Sequence, residues 1–229
     1  MKTIGMIGGT SWVSTVDYYR VLNTLVHERL GGINAARCVL YSFNLGEVKK
    51  YVDTSDWPGM LALFADVSRK LIASGAECLM LCANTPHVIA DDLRRAVDVP
   101  VIHIAEATAD AVAARGLKTV ALLGTKPTME MPFFHTKLAA RGIKAIVPGD
   151  ADRQYVHDNI FGELTKNIFL PETKARYLAL IDRLRSQGAE GAILACTELP
   201  LLLKQEDAPV PLFDTIDIHC RAVVDFALL

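Results

Sequence analysis

The 229-residue chain has no basic run longer than a pair, as at Lys49–Lys50 and Arg94–Arg95, and its net charge is −2. It therefore lacks the electrostatic footprint of a nucleic-acid binder, and no such partner is expected. No apolar run approaches the roughly 20 residues that span a bilayer, so no membrane association is expected. The opening "MKTIGMIGG" runs straight into a strand-and-glycine pattern, without a charged segment, apolar core and cleavage site. A cytoplasmic setting follows as the simplest expectation. The five cysteines are an odd number without CxxC spacing, which argues against a zinc ribbon or a disulfide framework. His87, His103 and His219 are too scattered to suggest a metal site, and His103, on an apolar strand, reads as a core residue. The glycines of "IGMIGG" follow G-x-x-G-G, not the dinucleotide fingerprint, and the next strand's end, "LYSFN", offers only Asn44 in place of an acid. No phosphate-binding G-x-x-x-x-G-K-[ST] is present. No dinucleotide, nucleoside-phosphate or metal cofactor is expected on these grounds.

What is present is alternation. "TIGMIG" (3–8), "RCVLYSF" (37–43), "CLMLCA" (78–83) and "VPVIHI" (99–104) read as strands. So do "TVALLG" (119–124), "KAIVP" (144–148), "GAILAC" (191–196) and "VPLFD" (210–214). Between them lie helical patterns such as "STVDYYRVLNTLVHERL", "PGMLALFADVSRKLIASG" and "ETKARYLALIDRLRSQG". Strands apolar on both faces, alternating with helices, predict an α/β fold with parallel sheets covered on both sides.

The pattern is written twice. "KTIGMIGGT" (2–10) matches "KTVALLGTK" (118–126), "SGAECLMLCANTPH" (74–87) matches "QGAEGAILACTELP" (187–200), and "VPVIHI" matches "VPLFDT" (210–215). The offsets are 116, 113 and 111 residues, in one order. Two similar Rossmann-like lobes are expected, related by a pseudo-twofold, with the active site in a cleft between them. The boundaries predicted are 1–98 for the first lobe and 99–209 for the second, with the strand and helix of 210–229 returning to the first. In parallel sheets ligands gather at the carboxyl ends of the strands. "GGTSW" (8–12), "CANT" (82–85), "GTKPT" (124–128) and "CTE" (196–198) all stand there.

Cys196 ends an apolar strand beside Thr197 and Glu198. A thiol there becomes reactive if its ionisation is helped, and a following helix N-terminus is expected to lower its pKa. Glu198, Asp214 or His219 would orient it or exchange its proton. Aligning Gly75-Ala76-Glu77 with Gly188-Ala189-Glu190 puts Ala83 opposite Cys196 and Cys82 opposite Ala195. Strand side chains alternate, so this one-residue slip reverses direction. Cys82 and the vacant Ala83 position both remain open. Cys38, Cys78 and Cys220 have no polar motif beside them and read as packing. Asn84 and Thr85, with Thr10 and Ser11, offer short polar groups near backbone N–H groups, suited to cradling a carboxylate.

The combination "IGMIGGTSW", "CANTPH", "IHIAEAT", "ACTELPLLL" and "FDTIDIH" resembles the aspartate/glutamate racemase family, in its aspartate racemase and broad amino-acid racemase branch. The resemblance spans nearly the whole chain. It implies cofactor-independent racemisation of a small amino acid, with two cysteines flanking the substrate α-carbon, and a homodimer. Carried onto this chain it makes Cys196 the matching thiol of "ACTE". "CANT" departs from the family's CNT, because Ala83 directly precedes Asn84, so Cys82 is the other thiol at one residue's remove. The resemblance gives Asn84, Thr85 and Thr197 to the substrate's carboxylate and amine, with Glu198 beside them. It gives Lys166, in "FGELTKNIF", to a side-chain carboxylate, ahead of Lys49 and Lys50. Val13 replaces the glutamate of the common SWEST. The competing expectation is a single-thiol decarboxylase or isomerase of a small dicarboxylic acid, using Cys196 alone. A non-catalytic dicarboxylate binder and a Cys/His hydrolase pairing Cys196 with His219 are the remaining readings.

Overall fold

The computed structural model describes residues 1–229. The chain forms two compact units, Met1–Ile104 with His219–Leu229, and Ala105–Ile218. The first contains β1 (Ile4–Gly8), α1 (Trp12–Leu30), β2 (Cys38–Ser42), α2 (Leu45–Asp53), α3 (Trp57–Ala73), β3 (Cys78–Leu81), α4 (Ala90–Ala96) and β4 (Val101–Ile102). The second contains α5 (Ile104–Ala114), β5 (Thr119–Gly124), α6 (Lys126–Glu130), α7 (Pro132–Ala139), β6 (Lys144–Ile146), α8 (Asp150–Gly162), α9 (Pro171–Ser186), β7 (Gly191–Ala195), α10 (Leu199–Leu202) and β8 (Leu212–Asp214). A final helix, α11 (Thr215–Leu228), starts in the second unit and from His219 belongs to the first.

Each unit is built on a four-stranded parallel sheet. The orders are β2-β1-β3-β4 and β6-β5-β7-β8, the same path traced twice. All eight strands read from the sequence are present, and the fold is α/β. The central strands β1, β3 and β7 are buried at every residue, as their unbroken apolar runs require. In the first unit Leu79 and Leu81 of β3 pack with Met60, Phe64, Val67 and Leu71 of α3. In the second, Ala192 and Leu194 of β7 pack with Val156 and Ile160 of α8 and Tyr177, Ile181 and Leu184 of α9. Each such Leu or Ile contributes roughly 1.5–3 kcal/mol of burial.

The repeated G-A-E is a structural device. Gly75 and Gly188 leave their helices at φ 95° and 103°, where a side chain is strained. Two residues on, each glutamate latches the neighbouring strand. Glu77 Oε2 accepts from the Thr3 N–H at 2.7 Å, and Glu190 Oε2 accepts from Lys118 and Thr119 N–H at 2.6 and 2.8 Å. The latch satisfies N–H groups at the start of β1 and β5.

The unit boundaries differ from those predicted. "VPVIHI" closes the first sheet, with Leu79 paired to Val101, rather than opening the second lobe. "VPLFD" closes the second sheet, with Ala192 paired to Leu212, rather than returning to the first. Each repeat needs its own fourth strand, because β3 and β7 would otherwise be sheet edges, with unpaired polar backbone. Only α11 returns: the Lys2 N–H donates to the Ala227 carbonyl at 2.8 Å. No helix is long and apolar enough to cross a membrane.

Candidate active site

In the second unit the polar cluster forms where β7 ends. Cys196, Thr197 and Glu198 are 6%, 3% and 2% exposed. Cys196 Sγ donates to Glu198 Oε2 at 3.2 Å, and Thr197 Oγ1 donates to the same oxygen at 2.9 Å. Glu198 Oε1 is buried without a partner. A buried carboxylate oxygen left bare costs free energy unless a ligand or water satisfies it.

Burial pushes the Cys196 thiol well above its ordinary pKa, and the Glu198 carboxylate adds to the rise. Backbone N–H groups of Glu198 and Leu199 oppose it but do not prevail. The expected lowering by a helix N-terminus is therefore overturned: α10 has four residues and little dipole to offer. At rest Cys196 is a thiol whose proton already points at a carboxylate.

Gly124 of β5 is paired with Ala195, which brings Thr125 beside this turn. Thr125 and Thr128 are buried, with hydroxyl oxygens 3.1 Å apart. Neither was singled out from sequence, although "GTKPT" was placed at the correct strand end. Lys166 is exposed on a short 3-10 turn, Leu164–Lys166, closed by Asn167 at φ 60°. Leu164 belongs to the apolar cluster that contains Cys196, and Lys166 forms no ion pair. Tyr177 lies in the same cluster, its hydroxyl pKa raised by burial and by Cys196.

In the first unit two loops stand at equivalent places. After β1, Gly9 adopts φ 75°, and a Cβ there would overlap the Phe43 backbone. The Gly9 N–H donates to Thr15 Oγ1 at 2.9 Å, and that hydroxyl donates to the Ser11 carbonyl at 2.7 Å. Ser11 begins the 19-residue α1, but its side chain makes no capping bond. Ser11 Oγ and Thr10 Oγ1 are both buried without a partner. Two bare hydroxyls at a long helix's N-terminus suit an anion. Val13 is buried on α1.

After β3 come Cys82, Ala83, Asn84 and Thr85, all buried except the half-buried Thr85. Register locates them. Ile7 pairs with Leu81, as Leu123 pairs with Leu194. Cys82 then corresponds to Ala195 and Ala83 to Cys196. Side-chain direction agrees: Leu79 and Leu81 join one apolar cluster, as Ala192, Leu194 and Cys196 join the other. Cys82 points from the opposite face of its strand and is 0% exposed, and burial raises its thiol pKa.

Two proposed partners of the thiol are otherwise engaged. Asp214 caps α11, accepting from Ile216 and Asp217 N–H at 2.8 and 3.3 Å, and burial raises its pKa. His219 Nδ1 is 3.2 Å from the Tyr18 hydroxyl and Nε2 is 2.8 Å from the Ile102 carbonyl. Both ring nitrogens are used, so His219 is not a base waiting for Cys196. Lys49 is tied to Asp53 at 2.7 Å.

The family model for Asp/Glu/hydantoin racemases matches residues 7–223. A crystal structure from Yersinia pestis, described as that of a candidate Asp/Glu racemase, is 40% identical over the whole of both chains, with a TM-score of 0.92. An aspartate racemase homologue from Pyrococcus horikoshii OT3 is 36% identical, also over the whole of both chains, with a TM-score of 0.86. The broad specificity amino-acid racemase RacX of Bacillus subtilis (strain 168) is 29% identical over 169 residues, covering 74% of this chain and 73% of RacX.

Proposed function

The chain belongs to the Asp/Glu/hydantoin racemase family and is an isomerase, and on that premise we propose that it racemises aspartate, glutamate or related amino acids through a thiol at Cys196. The observation that carries this reading is the buried Cys196–Glu198 pair at the end of β7. The α-proton of an amino acid is very weakly acidic, so a base must be generated where water is scarce. Moving the thiol proton to Glu198 creates the thiolate and a neutral carboxylic acid without changing the net charge of the pair. The thiolate then takes the α-proton, and fixed dipoles hold the carbanion.

The bare hydroxyls of Thr10 and Ser11 supply such dipoles at the end of α1, with Asn84 and Thr85 completing the carboxylate cradle. Thr197 and Glu198 take the amine. Lys166, exposed and without an acidic partner, reads a side-chain carboxylate as a point charge. Inversion requires a second proton donor, and Cys82 is the thiol available in "CANT". The test is loss of optical activity from L-aspartate or L-glutamate, with α-proton exchange into deuterated water. Absence of exchange with any amino acid of either hand overturns the reading.

A second reading draws on one observation: Ala83, which carries no proton, stands at the Cys196-equivalent position. One thiol then protonates from one face only, giving a decarboxylase or isomerase of a small dicarboxylic acid. Ala83→Cys separates the two. If the second thiol is what limits inversion, this variant inverts substrate at least tenfold faster than the parent. An unchanged inversion rate removes the register as an explanation.

A further inference from the structure

The turn that carries Asn84 and Thr85 has a gap in its backbone hydrogen bonding, and a side chain fills it. Thr85–Ile89 is a 3-10 turn, and the Asn84 side chain makes no capping bond to it. In such a turn the N–H of residue 86 would donate to the carbonyl of residue 83. Residue 86 is proline and has no N–H. The next N–H, that of His87, is used by the Asn84 carbonyl at 3.0 Å. The Ala83 carbonyl is left without a backbone donor, in a residue 7% exposed. The His87 imidazole supplies one: Nδ1 lies 2.8 Å from that oxygen.

The donor is held rigidly. His87 is 1% exposed, and its ring centroid is 4.8 Å from that of His103 and 5.4 Å from that of His219. His219 is itself fixed by Tyr18 of α1 and by the Ile102 carbonyl at the end of β4. The His87 pKa is lowered, first by burial and then by the two neighbouring histidines, so the ring is neutral. A neutral ring with its proton on Nδ1 can make this bond.

We propose that His87 is a positioning residue for amino-acid binding: its Nδ1–H replaces the donor that Pro86 lacks and thereby fixes the Ala83–Thr85 turn. This rests on the reading above that Asn84 and Thr85 hold the substrate carboxylate. In this role His87 acts through the turn and not on the substrate. Its loss loosens a contact made equally in ground and transition states, so it raises KM and spares kcat.

The test compares three variants in steady-state racemisation of the preferred amino acid, with folding checked by thermal melting. His87→Leu fills the space without a donor, and KM rises about tenfold with kcat within about threefold. His87→Gln offers an amide N–H to the carbonyl four residues back, and KM stays within about threefold of the parent. Pro86→Ala combined with His87→Leu restores a backbone N–H to the Ala83 carbonyl, and KM returns toward the parent value. Equal KM values for the leucine and glutamine variants, a loss confined to kcat, or no rescue by Pro86→Ala overturns the proposal. Should His87→Leu fail to fold, His87→Met and Pro86→Ala/His87→Met take its place, with the same rise in KM and the same rescue expected, and no rise or no rescue overturning the proposal. A parent protein that racemises no amino acid contradicts the functional reading and this proposal with it. A working racemase with indifferent variants contradicts this proposal alone.

Discussion

The two units trace the same strand order, yet the ends of β3 and β7 carry opposite chemistry. At the end of β7 a thiol proton points at a carboxylate, and the second oxygen of that carboxylate is bare. At the end of β3 the equivalent position is Ala83, and polarity has moved into Asn84, Thr85 and the buried cluster of His87, His103 and His219. The shared frame, with its glycine exits and glutamate latches, fixes where the loops emerge. It does not fix what they do. On the proposed function, the duplicated scaffold holds a proton-transfer pair in one copy and a rigid binding turn in the other.

The most disruptive way to probe the difference is to neutralise the β7 carboxylate. Glu198→Gln removes both the proton acceptor and the charge that lifts the thiol pKa. The thiol should then alkylate with iodoacetamide at lower pH than in the parent, while racemisation falls by about 10²–10⁴-fold. A more acidic thiol with undiminished turnover would show that Glu198 is not the acceptor.

Titration of stability should also distinguish the cores of the two ends. In the first unit burial pushes the His219 pKa down to about 4, and lowers that of His87. The unfolded chain binds these protons first, so this stability is complete above about pH 6.5 and is lost as pH falls through 4. The His219 contribution is about 3 kcal/mol. Burial raises the thiols instead: Cys78 to about 11, with Cys82 and Cys196 also raised. For them the folded state holds its protons longer, so stability is complete below about pH 8.5 and declines as pH rises toward 11. Melting temperatures across pH 4 to 11 should fall on both sides. His219→Gln should flatten the acid limb only, and an unchanged acid limb would remove the histidine cluster from the account.

The smallest expected effect concerns what the units share. Glu190 accepts two backbone N–H bonds and Glu77 one, all at exposed positions. Glu190→Ala should lower the melting temperature slightly more than Glu77→Ala, and the reverse order would contradict the latch.

Much of this was legible in the sequence. Eight strands could be read because each is a short apolar run bounded by turn residues, and the repeat located Cys196, Glu198 and the Ala83 register. The unit boundaries were less legible: "VPVIHI" and "VPLFDT" are copies of each other, but which sheet each joins is set by long-range pairing, of Leu79 with Val101 and of Ala192 with Leu212. The histidine cluster was invisible for a different reason. His87, His103 and His219 are brought together by three elements far apart in the chain, and no local spacing announces them. The sign of the Cys196 shift was also out of reach, since it depends on burial outweighing two N–H groups.

The central claim is that Cys196 carries the α-proton. It is tested most directly by α-proton exchange into deuterated water for Cys196→Ser and Cys82→Ser with the same amino acid. For the enantiomer whose α-proton Cys196 removes, the account predicts exchange reduced at least a thousandfold in the first, about 4 kcal/mol of barrier, and held within about threefold in the second, which loses inversion instead. Exchange that survives in Cys196→Ser would contradict it.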